Sequence, residues 1–160
     1  MIESRVRTIL ELPVYEQLYR DIVYVGEEAR FLGIRHIDTK LLFSIEIRVQ
    51  AGIDLLKGVR VRPTSAGGMV VLLPEPELLL VDADESSIRE YFLKEFGKSI
   101  GRLDYYDEIE RGKERVRKEA IGRGILVKAE QNARDAITGL FSPVVSGGVT
   151  VRFVGPEGEP

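Results

Sequence analysis

Cysteine is absent and His36 is the only histidine, so the groups left for chemistry are carboxylates, hydroxyls, lysine amines, arginine guanidiniums and that one imidazole. Disulfides, thiolate metal sites and cysteine nucleophiles are excluded. A lone imidazole cannot build a multi-histidine zinc site, and His36 is expected to be structural. The stretch with most chemical promise is Leu79-Leu80-Val81-Asp82-Ala83-Asp84-Glu85-Ser86. Asp82 and Asp84 stand two apart at the end of an apolar run, a spacing at which two carboxylates can share a divalent cation. They are the candidate metal ligands and would anchor a metal-dependent hydrolase. The rest of such a site is not evident. A phosphatase built on this pair would carry it on an early strand of an alternating α/β domain, with further acids downstream. Read as a calcium loop from Asp82, the sixth residue is Ser87 rather than Gly and the twelfth is Leu93 rather than Glu. The competing expectation is a turn that opens a helix, with Asp84 or Ser86 as its cap.

Three other patterns are weaker. Gly97-Lys98-Ser99 ends like a phosphate-binding loop, but Phe92 stands where that motif needs its first glycine. The motif also needs a preceding strand, whereas the preceding segment reads as a helix. Glu75 and Glu77 flank Pro76 and could serve as acid and base, yet two prolines make Pro74 to Glu77 an edge or a turn. Tyr15, Tyr19, Tyr24, Tyr91, Tyr105 and Tyr106 could stack on a ligand, though such residues more often pack a core edge with the hydroxyl in water.

The elements that would position these residues follow from periodicity. Phe43, Ile45, Ile47, Val49 and Ala51 alternate with Ser44, Glu46, Arg48 and Gln50, which predicts a half-wet strand over Leu42 to Ala51. Val14 to Val25 reads as a strand from its β-branched and aromatic content, and Gly26 to Ile37 as a connection. Val59 to Arg62 alternates and stops at Pro63, and Gly67-Gly68 suits a hairpin turn before the apolar run Met69 to Leu73. Leu78 to Val81 is another strand. The rhythm then changes. Ile88, Tyr91, Phe92, Glu95 and Phe96 are spaced as one helical face that stops at Gly97. Asp104 suits a helix cap, and an apolar stripe runs from Ile109 through Val116, Ala120, Ile125, Ala129, Ala133 and Ile137 to Leu140. Gly122 and Gly124 predict a kink or break in that helix. Val149, Val151 and Phe153 alternate as a closing strand.

The predicted fold is therefore α+β: a mainly antiparallel sheet from the N-terminal half, packed against a long, kinked C-terminal helix, with a closing strand near the C-terminus. The expected organisation is an N-terminal extension over 1–11, a single domain over 12–154 and a flexible tail over 155–160. A chain of 160 residues can bury a core without staples. Its net charge is −3, from 26 acidic and 23 basic residues with the signs interspersed. That pattern lacks the basic footprint of a nucleic-acid binder. Arginine outnumbers lysine, 16 to 7, which favours planar pairing with carboxylates. No stretch approaches the roughly 20 apolar residues needed to span a bilayer, and Met1 to Leu12 lacks the apolar core of a signal peptide.

In order and spacing, several segments resemble one family. They are Leu12-Pro13-Val14-Tyr15-Glu16, Ala51-Gly52-Ile53-Asp54-Leu55, Leu73-Pro74-Glu75-Pro76-Glu77 with Val81-Asp82, and Glu119 to Leu126 leading into Ala129-Glu130-Gln131-Asn132-Ala133. With the valine-rich strand that ends at Phe153, they resemble the domain of unknown function numbered 4230. The resemblance implies a bacterial protein with one membrane-spanning helix ahead of the domain, hence a membrane-tethered or extracytoplasmic setting. It implies no catalytic residues and no cofactor. A looser likeness of fold connects the pattern to the band-seven, or stomatin-like, proteins, which also place a strand-rich module before a long charged helix.

The expectation that follows is a non-catalytic binding or assembly module that meets protein or lipid at a membrane surface, or a second copy of itself. A metal-dependent hydrolase using Asp82 and Asp84, or a lipid-binding domain with an elongated apolar cavity, are the alternatives.

Overall fold

Leu41, Phe43, Ile45, Ile47, Val49 and Ala51 are all fully buried, while the side chains between them are mostly part-exposed. This two-residue rhythm makes the strand predicted over Leu42 to Ala51 the C-terminal half of a longer one. The computed structural model describes residues 15–31, 34–95 and 102–155, and side-chain surroundings at 15–24, 41–91 and 106–155. The N-terminal extension expected over 1–11 lies outside the described residues, as does most of the tail.

In chain order the elements are β1 (Tyr15–Phe31), β2 (Ile34–Gly52), a 3-10 turn (Leu55–Lys57), β3 (Arg60–Pro63), β4 (Met69–Pro74), β5 (Glu77–Glu95), α1 (Arg102–Gly122), α2 (Ile125–Phe141) and β6 (Val149–Val154). The fold is α+β, as predicted. The chain divides into two compact units: Met1–Glu16, Gln50–Leu80 and Ile121–Pro160 make one, and Gln17–Val49 with Val81–Ala120 make the other.

The second of these units is built on a three-stranded antiparallel sheet in the order β1-β2-β5. Its inner face presents Tyr19 and Val23 of β1 and the buried row of β2. Helix α1 lies on that face. Ile109, Gly112, Val116 and Ala120 form its buried stripe at helical spacing. Gly112 is where helix and sheet come closest: a methyl group there would fall 2.8 Å from Asp21 Oδ2 and 3.6 Å from Ile47 Cδ1. Arg115 then donates to Asp21 across the same contact at 2.8 Å.

In the first unit, β3 pairs antiparallel with β4, from Arg60↔Leu72 to Pro63↔Met69. β4 pairs parallel with β6, from Met69↔Val149 to Pro74↔Val154. Ala133, Ile137 and Phe141 of α2 pack on Met69, Val71, Leu73 and Val151, with Ile53 and Leu55 completing the core. Burial of each large aliphatic side chain here stabilises by about 1.5–3 kcal/mol. Asp54 caps the 3-10 turn by accepting from the Leu56 amide. Gly67, at φ 75°, turns β3 into β4, and Met69 donates to Gly148 to start the pairing with β6.

Several expectations are corrected. There are two sheets, and the closing strand joins the second of them in parallel, so the sheet system is mixed. One long kinked helix is replaced by two helices. Gly124 adopts φ 78° and donates its N–H to Ile121, so of the kink or break expected there it is a break that forms. Leu140, placed in the apolar stripe, is exposed. Asp104 falls inside α1, which begins at Arg102. Most of Gly26 to Ile37, read as a connection, belongs to β1 and β2. The largest correction is at Ile88 to Phe96. Its helical spacing is outweighed by sheet pairing, and β5 continues through it to Glu95.

Candidate functional site

Asp82 and Asp84 lie in the interior of β5, a 19-residue strand, and neither starts a helix. The expected helix-opening turn is absent; what stands there is a local fold in the strand. Asp84 Oδ1 accepts from the Ser86 amide at 2.9 Å and from the Ser86 hydroxyl at 2.5 Å. The Ser87 hydroxyl donates to the Asp84 carbonyl at 2.6 Å. On the neighbouring strand the Glu46 amide donates to Ser87 Oγ at 2.7 Å. A strand that bonds its own backbone two and three residues along, and offers a side chain to its neighbour's amide, departs from a regular ladder as a bulge does.

The bulge has a consequence for which side chains share a face. Asp84 lines a groove with Leu18, Glu46 and Arg48, the outward residues of β1 and β2. Seven residues later Tyr91 lies 3.1 Å from Ser44, hydroxyl to hydroxyl, on that same outward face. In a regular strand positions an odd number apart face opposite ways. The extra residue at Asp84 to Ser87 reverses the alternation and puts Asp84 and Tyr91 on one face.

The groove is open and has a volume of about 490 Å³. Asp82, Ala83, Asp84, Glu85 and Ser86 line one side of it, and Leu18, Glu46 and Arg48 line the other. The Ser86 hydroxyl, and next the Ser86 amide, hold the Asp84 carboxyl below its usual range, with Arg48 adding attraction. Glu46 accepts from Arg20 at 2.6 Å, and this bond raises the Arg20 guanidinium above its usual value. The structure thus brings both predicted ligands to one groove together with Glu46 and Glu85. Among the described residues, no three acidic, histidine or cysteine side chains are grouped so as to hold a metal ion. The arrangement is a mixed-charge surface in which Asp84 already has a serine partner and Glu46 an arginine partner.

Glu75 and Glu77 lie elsewhere, in a second open groove of about 570 Å³ lined also by Lys57, Arg60, Leu72 and Val154. Lys57 pairs with Glu77 at 2.5 Å. Neither groove is an enclosed apolar chamber of the kind a lipid-binding domain would use. Among the described residues no helix is long and apolar enough to cross a membrane.

The side chain of His36, on β2, and the stretch Gly97-Lys98-Ser99 lie outside the described residues. The strand that a phosphate loop requires does precede that stretch, contrary to expectation, but the glycine missing at Phe92 remains missing. Gly97 to Gly101 also fits Gly-x-Ser-x-Gly, the pattern of a nucleophile elbow, a match that the likeness to a phosphate loop obscures. Its flanking elements, a strand and a helix, are in the order such a turn needs.

The outward face of β1 is the feature that sequence patterning missed. Leu18, Ile22 and Tyr24 alternate along it and are 56%, 65% and 58% exposed. The signal was present in Leu18-x-x-x-Ile22-x-Tyr24, but a strand rich in apolar residues on both sides does not reveal which side is wet.

The model of a family described as "Protein of unknown function (DUF4230)" matches residues 4–151. The chain belongs to the DUF4230 family. No curated protein and no solved structure matches it. For this DUF4230 chain the groove and the outward β1 row are the features from which function must be argued.

Proposed function

We propose that this DUF4230 chain is a non-catalytic binding and assembly module that makes its contacts through the outward face of the β1-β2-β5 sheet. The exposed row of Leu18, Ile22 and Tyr24 carries the reading. A half-wet sheet ordinarily puts polar side chains on its solvent face. Apolar groups clustered there and rimmed by charge are the usual mark of a contact surface. Tyr91 adds a fourth, 59% exposed, from β5. The rim is supplied by the Arg20–Glu46 pair. The groove beside the row supports a non-catalytic role, because Asp84 is engaged by Ser86 and Glu46 by Arg20. A membrane tether ahead of the domain, which the family resemblance implies, would present this face near a bilayer.

Sedimentation over a wide range of concentration, together with flotation on phosphatidylcholine–phosphatidylglycerol vesicles, tests the reading. Self-association or vesicle binding that is lost in the triple variant L18S/I22S/Y24S supports it. A chain that stays monomeric and floats with no vesicle would sink it. The metal-dependent hydrolase keeps one observation in its favour, the shared groove of Asp82 and Asp84, and magnesium decides that case.

A further inference from the structure

We propose that the outward face of the β3-β4-β6 sheet is a docking surface for an acidic protein segment, gripped by Arg60, Arg62 and Arg152. This is a different sheet from the one that carries the β1 row, and the inference stands independently of the assembly reading above.

Strand pairing fixes which side chains share this face. Arg60 stands opposite Leu72, and Leu72 opposite Arg152, so one row across the three strands reads arginine, leucine, arginine. The next row reads Arg62, Val70, Thr150. These positions alternate with Val61, Val71 and Val151, which pack into the core with α2, so they face outward. Arg60, Arg62, Thr150 and Arg152 are exposed, and Val70 and Leu72 are half-buried between them. Elsewhere Arg111, Arg117 and Arg134 each pair with an acid one helical turn away. Among the described residues, none of the three outward arginines pairs with a carboxylate.

The spacing selects the occupant. Neighbouring strands lie about 4.8 Å apart, which sets Arg60 and Arg152 about 10 Å apart at Cα, and Arg60 and Arg62 about 7 Å apart. Charges spread at that spacing over a sheet face suit an extended partner, whereas a small anion is held in a concave site. Each guanidinium offers a planar fork that meets a carboxylate through two parallel hydrogen bonds. Val70 and Leu72 offer apolar contact between the forks, so the complementary segment carries acids on either side of an apolar residue. An anionic bilayer suits the face less well. Glu75 is exposed and lines a groove that also includes Arg60 and Leu72, and the chain as a whole carries −3. A continuous plane of negative charge repels both, while a peptide can set its acids against the arginines alone.

Fluorescence anisotropy of a rhodamine-labelled peptide of repeated Glu-Glu-Leu, titrated with the full chain, tests the proposal. Binding is expected to weaken about tenfold in R60S/R62S/R152S and to fall with added salt. A matched Lys-Lys-Leu peptide is expected not to bind. L18S/I22S/Y24S is expected to bind the acidic peptide as the wild type does, which separates this surface from the β1 row. Circular dichroism checks that the arginine variant is folded, and R152S alone, with a smaller loss, serves if the triple variant is not. No binding of the acidic peptide overturns the proposal, as does binding that the arginine variants leave unchanged. Arginine-dependent flotation on phosphatidylglycerol vesicles without peptide binding would also overturn it and assign the face to a membrane. None of these failures touches the assembly reading, which is decided by L18S/I22S/Y24S.

Discussion

The two adjacent serines at the β5 bulge should differ sharply in what they contribute. Ser87 Oγ accepts from the Glu46 amide at 2.7 Å and donates to the Asp84 carbonyl at 2.6 Å, in a part-buried setting. S87A removes both bonds, each worth about 1 kcal/mol net. The Glu46 N–H also loses that acceptor, so the expected cost is about 2 kcal/mol. For a chain of this length that lowers the melting temperature by about 4–8 °C. Ser86 also bonds Asp84, but both are exposed. S86A keeps the backbone amide and should change stability by no more than about 0.5 kcal/mol. S87T restores the hydroxyl and should return most of the loss. Urea unfolding followed by circular dichroism measures all three. If S86A costs as much as S87A, or if S87A is neutral, Ser87 does not hold the Glu46 amide and the bulge argument fails.

Other perturbations follow from the same contacts. G147A should destabilise by about 1–3 kcal/mol, because the added methyl would strike the Ala66 carbonyl and the Gly68 amide, which are backbone and cannot rotate away. G122A, with nothing within 4 Å of the new methyl, should be neutral or stabilise by up to about 1 kcal/mol; the same denaturant titration separates the two. Folding holds the Asp84 carboxyl below its usual range, so its contribution is present above the unfolded value of about 3.9 and disappears as pH falls through the lower folded value. The stability gap between wild type and D84N should therefore be constant at neutral pH and close in acid, and a gap that widens in acid would contradict the assignment. Millimolar magnesium should leave the melting temperature unchanged, since Arg48 already sits beside the carboxylates; a rise abolished in D82N/D84N would instead establish the hydrolase.

What could be read from the sequence was whatever one face of one element decides. The strand at Leu42 to Ala51 was legible because its inner side chains are all apolar and its outer ones, from Ser44 to Gln50, all polar. The break near Gly122 and Gly124 was legible because glycine weakens a helix wherever it stands. Ile88 to Glu95 was not. Its apolar residues fit both a helix at four-residue spacing and a strand interrupted by a bulge, and only pairing with β2 chooses between them. The site was half legible for the same reason. Asp82 and Asp84 could be named, but their companions Leu18, Glu46 and Arg48 come from strands more than thirty residues earlier in the chain. Two sheets could not be told from one, since the parallel pairing of β6 with β4 joins segments separated by most of the second half of the chain.

The bulge joins the groove and the edge into one argument. An unbroken β5 would turn Tyr91 away from Ser44 and leave its own outer edge regular. By taking up one extra residue at Asp84 to Ser87, the strand brings the carboxylates and Tyr91 to the outward face and roughens its own rim with acids.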